Sequence, residues 1–163
     1  MIDDTTSLIY PGFLVVAVVG SREFSLLSPI YAALHSLNER FGHHIVVISG
    51  GARGADSIAK HCALLLHLEF VNYFPRHFAH DAFCPYPPEY YSQPYQVSYY
   101  EQRDQHMARD CHVLYAFYAS LRRTPGTRKT VGFAQALGKP TLEYPHARFS
   151  IHSELKIPDL VPV

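Results

Sequence analysis

The segment "FLVVAVVG", residues 13–20, is an unbroken run of apolar, mostly β-branched side chains. A strand with one wet face alternates polar and apolar positions, so a run with no polar position must be covered on both faces. "HIVVIS", residues 44–49, repeats the pattern. Strands of this kind belong to parallel sheets, where neighbours are joined by a long crossover, usually a helix. The stretch between the two runs supplies one: Ile30, Leu34 and Leu37 recur at helical spacing over 28–41. Pro29 falls in the first turn, where its missing N–H does no harm.

The alternation continues. Residues 55–68 put Ile58, Cys62, Leu65 and Leu66 on one side of a helix, and "EFVNYF" at 69–74 reads as a third strand. A helix over 96–109, a strand "CHVLYAFY" at 111–118, a helix over 127–137 closed by Gly138, and a strand "KPTLEY" complete the series. The expected fold is therefore α/β: a Rossmann-like three-layer sandwich with a mostly parallel sheet of about five strands. It reads as a single domain over 1–163 with its core at 13–144, no internal repeat, a loosely packed lead-in at 1–12 and a patternless tail at 145–163. Between residues 75 and 95 stand Pro75, Pro85, Pro87, Pro88 and Pro94 among aromatics and histidines. Proline at this density predicts a long irregular loop without helix or central strand. Its tyrosines suit a lid, a packing surface or base stacking.

Composition excludes several roles. Fourteen basic and 14 acidic residues give a net charge of +0, so no overall field draws in nucleic acid or an anionic membrane. Cys62, Cys84 and Cys111 are odd in number and show no CxxC spacing, which argues against a disulfide framework and for a reducing cytoplasm. Asp3 and Asp4 occupy the place where a signal peptide carries positive charge, and the apolar run at 13–19 is too short to span a bilayer. No HExxH or related ligand pattern appears, and the adjacent histidine and cysteine pairs diverge, so no metal site is predicted. Ser21 and Ser49 lack a GxSxG elbow.

In an open parallel sheet, ligands sit beyond the carboxyl ends of the strands. Three loops fall there, at 20–24, 50–56 and 118–127, and each contains glycine and arginine. In "GGARGAD", Gly50, Gly51 and Gly54 allow close backbone approach and lead into a helix whose first amides suit an anion. Arg53 would add a forked contact, and Gly126-Thr127 would offer a second amide terminus. The same glycines also suit a tight structural turn. Asp56 is open between three roles: a cap, an acceptor for ribose hydroxyls, and a tether for an arginine. The pattern is neither GxGxxG nor GxxxxGK[ST].

Taken together, "VVAVVGSREF", "ISGGARGADSIA" and "RDQHMARDCHVLYAF…PGTRKTVGFAQALGKP" resemble the SLOG superfamily, which joins DNA-processing protein A and the Lonely Guy enzymes. They are most similar to its YspA/YpsA-related branch of small proteins. The resemblance implies a Rossmann-like domain binding a nucleotide or nucleotide-derived ligand. It carries over Gly20, Ser21 and Arg22; Gly50, Gly51, Arg53, Gly54, Ala55 and Asp56; Arg103; and Gly126 and Thr127 as ligand-binding residues. It leans towards a homodimer. Lonely Guy enzymes carry PGGxGTxxE, but here "PGTRKT" puts Thr130 in place of the glutamate that works on the N-glycosidic bond. A threonine is no carboxylate, which points to binding or sensing rather than turnover, with no catalytic residue assigned. The alternatives are an enzyme acting on a nucleotide or nucleotide sugar, for which Asp56 or Asp104 would supply the acid, and a single-stranded DNA binder. No cofactor is predicted, although Mg2+ arriving with a phosphorylated ligand would need few protein ligands.

Overall fold

The computed structural model describes residues 10–120 and 124–145. The lead-in at 1–9, the loop residues 121–123 and the tail from 146 onward lie outside the described residues. Five strands alternate with four α-helices: β1 (Leu14–Gly20), α1 (Leu27–Phe41), β2 (Ile45–Ser49), α2 (Ala55–Leu65), β3 (Glu69–Asn72), α3 (Ser98–Asp110), β4 (Val113–Phe117), α4 (Pro125–Ala136) and β5 (Thr141–Tyr144). The sheet order is β3-β2-β1-β4-β5, and every pairing is parallel. The expected α/β sandwich is present, with an all-parallel sheet.

The two faces explain the unbroken apolar runs. Leu14, Val16 and Val18 of β1 pack with Ile30, Leu34 and Leu37 of α1 and with Ala59, Cys62 and Ala63 of α2. Val15, Ala17 and Val19 turn the other way, onto Met107 and Ala108 of α3 and Val131 and Ala134 of α4. Side chains alternate across a strand, so a central strand with a helical layer on each side has no solvent position to fill.

Where elements end differently from expectation, local chemistry accounts for it. Residues 111–112 were expected in β4, but the Cys111 amide donates to Met107 O and closes α3. Lys139 Nζ adds bonds to Arg109 O and Cys111 O at 3.0 and 2.6 Å, a cation on the terminal carbonyls of α3. That use of Lys139, and the missing N–H of Pro140, start β5 at Thr141. α2 stops at Leu65 because His67 takes a positive φ of 57°. α4 begins at Pro125, earlier than expected, since proline fits the first helical position.

The proline-rich segment corrects one expectation: Pro88–Tyr90 form a 3-10 turn. Tyr86, Tyr90 and Tyr91 are buried in a small cluster of their own against Phe74 and Cys84. Arg76 stacks its guanidinium 4.4 Å from the Tyr90 ring centre and donates to Tyr90 O. Asn72 of β3 receives cover from this segment as well, its amide donating to Phe83 O and its side chain to Asp81. The segment thus shields an edge strand.

Candidate functional site

The sheet order reverses between β1 and β4, so the chain leaves their carboxyl ends in opposite directions and opens a crevice. A cleft of about 540 Å³ occupies this place. Its floor is Val19 and Gly20 at the end of β1, and Met107 of α3. Arg22 and Glu23 stand on one wall, with Ala52 and Asp56 beside them; Thr124, Gly126, Thr127 and Thr130 form the wall opposite.

Ser21 joins these walls. Its amide donates to Phe117 O at the end of β4, and its carbonyl accepts from Phe24 N and from Ala55 N at the start of α2. Its hydroxyl lies 2.7 Å from Thr124 Oγ1 and accepts from Ala119 N. Three connections therefore meet on one buried residue, and the Ser21 hydroxyl serves as a junction between them.

The glycine loop is packed, and its glycines serve that packing. Gly54 has φ +79°, and a Cβ there would stand 2.4 Å from Ser21 O and 2.5 Å from Arg22 O. Gly51 has φ +76° and leaves room for the ring of Phe74. The Gly50 carbonyl accepts from Arg103 Nη1 at 2.8 Å, which clamps α3 to this loop. Ala52 N–H donates to Asp56 Oδ2 at 3.1 Å, so Asp56 holds the turn before its own helix. Of the loop's amides, those of Ala52 and Ala55 are already engaged within the protein. Arg53 lies outside the cleft, its side chain 74% exposed and 3.1 Å from Glu23 Oε1.

Charge inside the cleft is mixed. Arg103 donates through Nε to Asp104 Oδ1 at 2.7 Å, with both side chains mostly buried. Arg22 is exposed and has no side-chain partner among the described residues. Burial pushes the Asp56 carboxyl up to about 6, against the opposing pull of Arg103 and the Ala52 N–H. Burial raises Asp104 too, opposed by Arg103 and by a hydrogen bond from Thr130. Thr130 Oγ1 also lies 3.2 Å from Gly126 O. The first turn of α4 opens on the same space, its Thr124 hydroxyl turned to Ser21 rather than to the helix amides.

The structure brings Gly20, Ser21, Arg22, Asp56, Arg103, Gly126 and Thr127 to one cleft. It leaves Gly50, Gly51, Arg53, Gly54 and Ala55 behind or outside its wall. Sequence reasoning missed Ala52, Thr124 and Met107, and gave Thr130 only the role of a departure. The i, i+3/i+4 spacing of Arg103, Asp104 and Met107 on one helix face was the available signal for the floor. No set of three or more His, Cys, Asp or Glu side chains that could hold a metal occurs among the described residues. No helix among them is long and apolar enough to cross a membrane.

Residues 14–80 match the family described as YspA, cpYpsA-related SLOG. The resemblance read from the motifs is borne out. The SLOG match takes in β1, Ser21 and Arg22, the glycine loop, α2 and β3. Among solved structures, DNA processing protein A from Streptococcus pneumoniae superposes with a TM-score of 0.61 at 21% identity, over 87% of this chain and 54% of that one. The Helicobacter pylori protein of that name, solved for its single-stranded DNA binding mode, gives 0.59 at 20% identity, over 80% and 64%. The chain thus spans between half and two thirds of those relatives. A molybdenum cofactor binding protein from Rippkaea orientalis gives 0.59 at 16% identity, over 80% and 76%. At these identities the likeness is one of fold. No curated protein matches the sequence.

Proposed function

We propose that the chain binds a nucleotide or nucleotide-derived small molecule in the cleft between β1 and β4. The anionic group lies between Arg22 and the first turn of α4, at Gly126 and Thr127. The observation that carries this reading is Arg22, a guanidinium without a side-chain partner among the described residues, on a cleft that also receives a helix N-terminus. The anion is assigned to α4 rather than to the glycine loop because the Ala52 and Ala55 amides already donate within the protein. Asp56 and Asp104 line the same space and are suited to accept hydrogen bonds from ligand hydroxyls. Three free thiols fit a reducing compartment.

The fold's neighbours, named for single-stranded DNA and for a molybdenum cofactor, support ligand binding in general. A second reading, turnover of an N-glycosidic or phosphate bond, draws on two cleft carboxyls, Asp56 and Asp104, that burial shifts upward. The deciding experiment is a calorimetric titration with nucleoside mono-, di- and triphosphates, NAD, ADP-ribose and short single-stranded DNA, with and without Mg2+. One nucleotide class binds, and Arg22→Ala weakens it by about tenfold, or ~1.4 kcal/mol. Unchanged affinity in Arg22→Ala sinks the assignment, and binding of DNA alone turns the reading towards nucleic acid. Release of free base or phosphate, lost in Asp56→Asn, promotes the enzyme.

A further inference from the structure

The cleft accounts for an anion and for hydroxyls, but among the described residues its lining contains no aromatic ring. An aromatic surface begins one helical turn away. On α3, Arg103, Asp104 and Met107 line the cleft, and Tyr100 stands on the same face, one turn towards the helix N-terminus. Side chains on a helix lean towards its N-terminus, so Tyr100 extends this face outward. Arg103 links the two regions: its guanidinium carbon lies 5.6 Å from the Tyr100 ring centre, while its Nη1 holds Gly50 O.

Tyr100 is half-buried and supported from behind. His77 lies 5.0 Å from it at 74°, Phe78 6.5 Å at 87° and Tyr95 6.5 Å at 67°. All of these contacts are edge-type, and among the described residues no ring lies parallel on Tyr100. Phe78 continues to Phe74, the ring that fills the space left open by Gly51. The cluster therefore adjoins the glycine loop beside Ala52, which lines the cleft. Tyr95 is 67% exposed at its outer edge. Along this face of α3, Tyr100 is the ring next to the cleft, and the Arg103 guanidinium over it leads from one to the other.

Resting on the cleft reading above, we infer that Tyr100, backed by His77, Phe78 and Tyr95, is the surface on which the ligand stacks an aromatic base. The cleft then selects nucleotides over plain sugar phosphates, and the base is bound mainly through its face. Stacking of this kind tolerates different bases, so discrimination among them is small.

The test titrates the full chain with each of the four ribonucleoside 5′-monophosphates and with ribose 5-phosphate, which lacks a base. The wild type binds the best nucleotide on the order of tenfold more tightly than ribose 5-phosphate. Tyr100→Ala erases that advantage while ribose 5-phosphate affinity stays unchanged, which also shows that the variant is folded. Tyr100→Phe keeps the advantage. If nucleotide and ribose 5-phosphate bind equally, or the advantage survives Tyr100→Ala, the stacking surface is overturned and the cleft reading stands. If no phosphate compound binds, the cleft reading falls and this inference falls with it.

Discussion

Two helices begin at the carboxyl edge of the sheet, and their first turns are built in opposite ways. The start of α2 is closed: Ser21 O takes the Ala55 amide, Asp56 takes that of Ala52, and Gly54 is pressed against the loop after β1. The start of α4 is open: among the described residues nothing stands within 4 Å of a Cβ built on Gly126, and Gly126 and Thr127 border the cleft. The glycine-dense loop is thus tied into the packing of the fold, and the glycine-poor loop is the one whose helix start borders the cleft. Close backbone packing and anion binding both call for glycine, so density alone does not separate them.

The sharpest way to break this contrast is a pair of alanine substitutions. Gly54→Ala places a Cβ against two carbonyl oxygens at a positive φ, and it should destabilise the fold by about 3 kcal/mol or more. Gly126→Ala, in open helical space, should leave stability unchanged or raise it by up to about 1 kcal/mol. Urea unfolding of both variants reads the difference, and equal losses would end the distinction.

Next in size is Asp56. Its carboxyl titrates near 6 in the folded protein against an ordinary value of 3.8, so the native state holds the proton more tightly than the unfolded chain does. The contribution of Asp56 to stability is therefore fullest below about pH 4 and is lost as pH rises through 6. Asp56→Asn keeps an acceptor for the Ala52 N–H and removes the buried charge. Its advantage over wild type should grow between pH 4.5 and 7.5, to as much as about 3 kcal/mol. Denaturation curves at the two pH values check this, and a gap that shrinks with rising pH contradicts it. The smallest effect belongs to Arg53→Ala. Its ion pair with Glu23 is exposed and Arg53 itself lies outside the cleft lining, so nucleotide affinity should change by less than about twofold, against tenfold for Arg22→Ala.

The fold was legible because it follows from patterns local to each element. Val15, Val16, Ala17 and Val18 admit no wet face, and the helices between strands carry plain 3.6-residue stripes. Strand order was not legible, since a right-handed crossover allows a strand to be added on either side of β1. The site was half legible for the same reason. Residues adjoining the ends of β1 and β4, such as Gly20, Arg22 and Thr127, follow from topology. What Gly54 or Gly51 touches is set by Ser21 and Phe74, brought there by the tertiary fold. Tyr86, Tyr90 and Tyr91 looked in sequence like candidates for a lid, yet their burial depends on contacts that no local pattern encodes: the ring of Phe74, at the end of the preceding stretch, and the Arg76 guanidinium that stacks on Tyr90 from 14 residues away.

The junction at Ser21 also bears on how chains of this design can diversify. One residue bolts together the connections after β1, β2 and β4, so lengthening any of them pulls on the other two. The connection between β3 and α3 has no hydrogen bond to that bolt, and the long excursion of residues 73–97 is found there. The β3–α3 arm is accordingly the connection that can lengthen or change shape without pulling on Ser21, while the other three loops form one tied frame.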